Sequence, residues 1–175
     1  MSRKKLSSTV EDYLEIILNL EKNKKFVRVK DIAQEMGVKL PTVTSMLNNL
    51  VEQDLINHKK YESVELTKKG KRIARDVYHR HVILRDFLTT ILGLDLKTAE
   101  EDACKMEHAI SPSTLERLIK FMEFIEVCPR CGTDWPLKFN QYMKYGRDED
   151  KCLQHMKAFE GSFSSEVKKL ESKIE

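Results

Sequence analysis

The chain has 175 residues, 41% of them hydrophobic and 34% charged, with a formal net charge of +3. That length can hold one mid-sized domain or two small ones, and the composition suits a helix-rich globular protein. No run approaches the roughly 18 uninterrupted apolar residues of a membrane span, and the start, MSRKKLSSTVEDYLEII, has no signal-peptide core, so a cytoplasmic protein is expected.

The charge is unevenly spread. Residues 1–80 hold 17 Lys/Arg against 11 Asp/Glu, whereas the rest hold 14 against 17. A basic first half joined to an acidic second half suits a DNA-facing module carried on something else. Ser7, Ser8 and Thr9 cap a first helix with Val10, Tyr13, Leu14, Ile17 and Leu18 at helical spacing. Val29 to Met36 reads as a short helix stopped by Gly37, and Pro41 opens a third helix through Val43, Met46, Leu47 and Leu50. Ile56 to Thr67 alternates around a polar tip, as a short hairpin does. Thr67 then caps a long helix over 68–92 that Gly93 ends, and two more helices are expected at Leu96–Ile110 and Pro112–Ile125. Cys128 to Tyr145 reads as turn-rich. From Arg147 onward Leu153, Met156, Phe163, Val167, Leu170 and Ile174 keep a three-and-four spacing.

A short helix, a Gly-containing turn and a helix starting with small polar residues form a helix-turn-helix pattern. Ala33 is small where the helices meet, and Lys39, Pro41, Thr42, Thr44 and Ser45 stand at the start of the expected reading helix. Short hydroxyls there can reach base edges or phosphates, and Lys39 can reach phosphate or guanine. The hairpin would be a wing, with Lys59 and Lys60 at its tip as phosphate ligands. The alternative is a plain three-helix core.

Asp12 and Glu15 share one face of the first helix, and Cys104, Glu107 and His108 share one face of a later one, with His81 in the long helix between them. Carboxylates, imidazoles and a thiolate suit a late first-row divalent metal. On spacing alone, a Glu-His pair on a helix is usually solvated and a lone Cys usually fills a core.

The ordered set of Glu11-Asp12-Tyr13-Leu14-Glu15-Ile16-Ile17, Pro41-Thr42-Val43-Thr44, Val64-Glu65-Leu66-Thr67-Lys68-Lys69-Gly70, Arg80-His81 and Glu107-His108-Ala109-Ile110-Ser111 resembles the diphtheria toxin repressor / manganese transport regulator family over about residues 8–125. The resemblance implies a winged-helix domain, a helical dimerisation domain and regulatory metal at their junction. It puts Asp12, Cys104, Glu107 and His108 on ligand positions, and His81 and Glu15 on positions that some or all members use. Manganese-type members have a carboxylate in place of Cys104. Iron-type members have that Cys, but a Met in place of Asp12 and no acid in place of Glu15. The iron-type second site would also want an acid at Arg85 and a His at Glu100. A thiolate disfavours Mn²⁺ and favours Fe²⁺, Co²⁺, Ni²⁺ or Zn²⁺, so Fe²⁺ is the expected activator. The chain is too short for the SH3-like domain that ends some members.

Without a signal peptide the four cysteines read as metal ligands or redox groups and not as disulfides. Cys128-x2-Cys131, then twenty residues, then Cys152-x2-His155 is suitable spacing for a tetrahedral Cys₃His zinc site; a redox CxxC pair is the alternative.

The expectation is thus a mainly α protein in three parts. A winged-helix DNA-binding domain takes residues 1–75, a helical dimerisation and metal-binding domain 76–126, and a zinc-knuckle-like segment with a C-terminal helix 127–175. The function expected is a dimeric, metal-dependent repressor on operator DNA, with no catalytic residues. A metal-independent winged-helix regulator of the multidrug-resistance type with a zinc staple is the alternative, as is a manganese-responsive regulator. A redox enzyme would need a βαβ context that the sequence lacks, and a pure scaffold would not need a Lys-tipped wing.

Overall fold

The Ser7 hydroxyl accepts the Val10 N–H at 3.3 Å and starts α1 (Ser8–Asn23), which buries Val10, Tyr13, Leu14, Ile17 and Leu18 along one stripe. This computed structural model describes residues 6–58, 63–127 and 135–146, together with isolated positions between 150 and 172. At the start of α2 (Val29–Met36) the Asp31 carboxylate accepts the Arg28 N–H at 2.9 Å and the Lys24 ammonium at 2.7 Å. Gly37 ends that helix at φ 65°, a left-handed conformation that other residues adopt only at a cost. Pro41 sits in the first turn of α3 (Leu40–Glu52), where its missing N–H costs no hydrogen bond.

Two short strands follow, β1 (Ile56–Asn57) and β2 (Glu65–Leu66), paired antiparallel with Ile56 opposite Leu66. The base of the hairpin is held from both sides. Val64 N–H donates to the Val27 carbonyl at 2.8 Å, and the Glu21 carboxylate of α1 accepts the Leu66 N–H at 2.7 Å while meeting Lys71 Nζ at 3.2 Å.

Helix α4 (Lys68–Asp86) is capped by the Thr67 hydroxyl, which accepts the Gly70 N–H at 3.0 Å. A Cβ on Gly70 would overlap the Leu55 carbonyl oxygen, so only glycine lets α4 start this close to the chain leaving α3. The helix widens into a π turn over Phe87–Ile91, with Leu92 N–H donating to the Phe87 carbonyl, and it stops at Gly93 with φ 68°. After it come α5 (Leu96–Met106), α6 (Pro112–Val127) and α7 (Trp135–Tyr145).

Two expectations are corrected here. Helix α5 ends at Met106 and not near Ile110, and Ala109 N–H closes a turn onto the Met106 carbonyl at 3.0 Å. The stretch before Tyr145, expected to be turn-rich, contains α7; Pro136 is its second residue, where proline is compatible with a helix.

The chain divides into two compact units, 1–82 with 104–109, and 83–103 with 110–175. The first is built on buried Leu14, Ile17, Ile32, Val43, Leu47, Leu50, Leu55 and Val64. The second has a smaller core of Leu84, Leu88, Ala99 and Ala103, flanked by Phe87, Leu92, Ile110 and Leu118. Among the described residues no helix is long and apolar enough to cross a membrane. The wing-tip Lys59 and Lys60 and the proposed zinc ligands Cys128, Cys131, Cys152 and His155 lie outside the described residues.

Candidate metal centre

Three segments of the first unit converge. On α1, Glu11, Asp12 and Glu15 border the buried stripe of Tyr13, Leu14 and Ile17, so their carboxylates are drawn partly out of water. On α4, His81 continues the line of buried Ala74, Val77 and Leu84. Glu107 and His108 stand in the turn just after α5, and Glu107 is 1% exposed, the one buried charged residue among those described.

The donor atoms form two overlapping groups, Asp12 with Glu107 and His108, and Glu15 with His81 and Glu107. Within each group the atoms lie within 4.8 Å of one another, and Glu107 belongs to both. His81 Nδ1 is 2.8 Å from Glu107 Oε2. His108 Nε2 is 2.7 Å from Asp12 Oδ1 and 3.3 Å from Glu107 Oε1. Those last two approaches bring charges together without hydrogen-bond geometry, because Glu107 Oε1 and His108 Nε2 are both buried with no hydrogen-bond partner. Buried polar atoms are rarely left so. A carboxylate oxygen 3.3 Å from an imidazole nitrogen, with a second carboxylate oxygen 2.7 Å from that nitrogen, makes a donor set that fits a divalent cation.

The acidity of the cluster agrees. Two like charges 4 Å apart repel by about 4 kcal/mol at the effective dielectric of a protein surface. Burial, then the charge of Glu107, pushes the Glu15 carboxyl up to about 7. Asp12 is also raised, chiefly by burial, although His108 opposes this. For His108 burial disfavours the imidazolium, but the hydrogen bond to Glu11 and the charges of Asp12 and Glu107 outweigh it, and its pKa is raised.

Residues 5–64 match the model of the iron-dependent repressor N-terminal DNA-binding domain, and residues 67–136 match that of the iron-dependent repressor metal-binding and dimerisation domain. The chain belongs to the iron-dependent repressor family. It is 40% identical over 119 residues to an uncharacterized HTH-type transcriptional regulator of Methanocaldococcus jannaschii, covering 67% of this chain and 95% of that protein. The HTH-type transcriptional regulator MntR of Bacillus pumilus is 34% identical over 67% of this chain and 81% of its own length. Among solved structures, the manganese regulator SloR superposes with a TM-score of 0.59 at 36% identity, over 69% of this chain and 56% of that one. The family consists of metal-dependent transcriptional regulators and not enzymes.

Five of the six expected ligand residues of this repressor fall in these donor groups. Cys104 is exposed and belongs to neither donor group. Helix α5 stops at Met106, so Glu107 and His108 follow Cys104 in a turn and not along the continuous helix face that the sequence predicts. Segment 104–109 groups with α1 in the first compact unit, so the donor groups lie within that unit. Arg85 and Glu100, in the second unit, pair with each other at 3.5 Å and make no cation site. The sequence reading missed Glu11 and Arg80 as contributors to the centre. Both lie in the family-like motifs, but one acid beside two others carries no signal of its own. On α3, Lys39, Pro41, Thr42, Thr44 and Ser45 are all exposed at its start.

Proposed function

We propose that this chain is a dimeric repressor whose operator binding is switched on by a divalent cation held among Asp12, Glu15, His81, Glu107 and His108. The observation that carries this reading is the buried Glu107 carboxylate, common to two donor groups and with Oε1 lacking a hydrogen bond. A cation supplies the positive charge that these clustered carboxylates lack. Asp12 and Glu15 offer oxygen donors from α1, His81 offers nitrogen from α4, and Glu107 and His108 fasten the turn after α5 to that helix pair. Fastening favours the DNA-competent arrangement only as far as the cation binds it more tightly than the other.

The donors within reach are oxygen and nitrogen, a set that suits Mn²⁺ as well as Fe²⁺. An exposed Cys104 outside the cluster removes the main reason to prefer Fe²⁺, and relatives named for manganese point the same way. The Fe²⁺ reading rests on Cys104 joining the site. DNA contact is assigned to the exposed start of α3 and to Lys59 and Lys60. Dimerisation is supported by the matched domain and by Phe121 and Phe124, exposed three residues apart on α6. The Cys₃His zinc site and a cytoplasmic location rest on the sequence reading.

Fluorescence anisotropy with operator DNA tests the proposal. The metal-free protein should bind weakly, and Mn²⁺ should activate it. Asp12→Ala and His108→Ala should abolish activation while the protein stays folded and dimeric. Cys104→Ser should keep the wild-type ranking of Mn²⁺ against Fe²⁺; a ranking shifted by that change would return the thiolate to the site. Operator binding as tight without metal as with it would overturn the proposal.

A further inference from the structure

One oxygen of the centre is engaged in a different way. Glu11 Oε2 accepts a hydrogen bond from Arg80 Nη2 at 2.9 Å and another from His108 Nδ1 at 2.8 Å, and Glu11 belongs to neither donor group. All three side chains are largely withdrawn from solvent. A carboxylate cannot donate, so the His108 proton facing it must sit on Nδ1. The ring nitrogen left over, Nε2, is the one aimed at Asp12 and Glu107. Since Arg80 already neutralises Glu11 and occupies the same oxygen, Glu11 is poorly placed to bind a cation itself.

Resting on the metal-switched reading above, we propose that Glu11, anchored by Arg80, is a positioning residue for the centre. It fixes the tautomer and ring orientation of His108 so that Nε2 presents its lone pair to the cation. Outer carboxylates that receive the second N–H of a ligating imidazole generally strengthen its binding about 10–100-fold. Arg80 makes Glu11 dependable in that role, because its hydrogen bond at 2.9 Å holds the carboxylate in one orientation.

The test uses the full-length protein and Co²⁺, whose visible absorption reports the ligands it meets, with ¹⁵N NMR of the histidine rings. Glu11→Gln is isosteric and should keep the fold. It should weaken Co²⁺ binding severalfold to tenfold through loss of the negative charge and leave the shape of the Co²⁺ spectrum unchanged, while its amide oxygen, oriented by Arg80, still accepts the His108 Nδ1–H. The Nδ1–H signature should be lost in Glu11→Ala. Glu11→Ala should weaken binding further, to about 10–100-fold. Arg80→Ala should give a loss between wild type and Glu11→Ala, with Glu11 intact. Wild-type affinity and tautomer in Glu11→Ala would overturn the proposal. A changed Co²⁺ spectrum would also overturn it, by making Glu11 a ligand. Failure of the metal reading is distinct: wild type would then show no Co²⁺ binding that Asp12→Ala removes.

Discussion

Asp12, Glu15 and His108 all take up protons more readily in the folded chain than free in water, and this fixes how the metal-free protein responds to pH. For Asp12 and Glu15 the raised values mean that the fold prefers the neutral carboxyl, so each destabilises the fold as pH rises from the ordinary carboxylate range; for Glu15 this continues to about 7. For His108 the stabilisation is complete below the ordinary histidine value and is lost as pH rises through the raised one. The three effects therefore act in the same direction. Asp31 and Asp95, held low chiefly by hydrogen bonds from Lys24 and Thr98, lose stabilisation only in acid below this range. We expect the melting temperature of the metal-free protein to fall between pH 5.5 and pH 8. With saturating Mn²⁺ the trend should reverse, because ligation requires deprotonated donors. Parallel melts that rise with pH in both states would show that the cluster is not a half-buried acidic site.

Where α4 begins, the first unit is held together by contacts that leave little space. Gly70 lies against the backbone oxygen of Leu55, and a main-chain atom cannot move aside as a flexible side chain does. Gly70→Ala should therefore destabilise the protein by about 1–3 kcal/mol, as overpacking usually does, read as a lower urea midpoint at unchanged slope. Glu21 ties α1 to β2 and to α4 at once. Its exposed partner Lys71 contributes little, but Leu66 is buried and its N–H has no water to turn to. Glu21→Ala should cost about 1–3 kcal/mol by leaving that donor unsatisfied, whereas Lys71→Ala should be close to neutral. Equal losses for the two variants would shift the weight to the ion pair.

At the scale of the whole molecule the question is how DNA is read. Thr44 donates its hydroxyl proton to the Leu40 carbonyl of its own helix at 3.0 Å, so toward a base it has only acceptor capacity left. Thr42 sits two residues nearer the exposed start of α3. We expect Thr42→Ala to alter preference among operator variants more than Thr44→Ala does. Lys59→Ala and Lys60→Ala should weaken binding to all sequences alike and lower the salt slope by about 1 each. Anisotropy titrations at several salt concentrations separate the two behaviours. A Lys59 effect confined to one operator would assign it to base reading.

The sequence by itself determined the local elements and most of the donor types. Apolar spacing set the buried face of α1, Gly37 and Pro41 marked the turn and the third helix, and the alternation after Ile56 gave the hairpin, because each depends on residues a few positions apart. Asp12, Glu15, His81, Glu107 and His108 were likewise legible as a candidate set, with the family resemblance supplying what spacing left open. Only the tertiary structure decided which of them meet. Helix α5 stops at Met106 and not four residues later, and Cys104 falls in neither donor group. Helix ends are set by competing contacts within about one turn, and these the one-dimensional pattern does not resolve. Glu11 and Arg80, 69 residues apart in the chain, become partners only when α1 packs beside α4. Segment 104–109 likewise joins the first unit through side chains distant in the chain, Glu107 meeting His81 and His108 meeting Glu11 and Asp12.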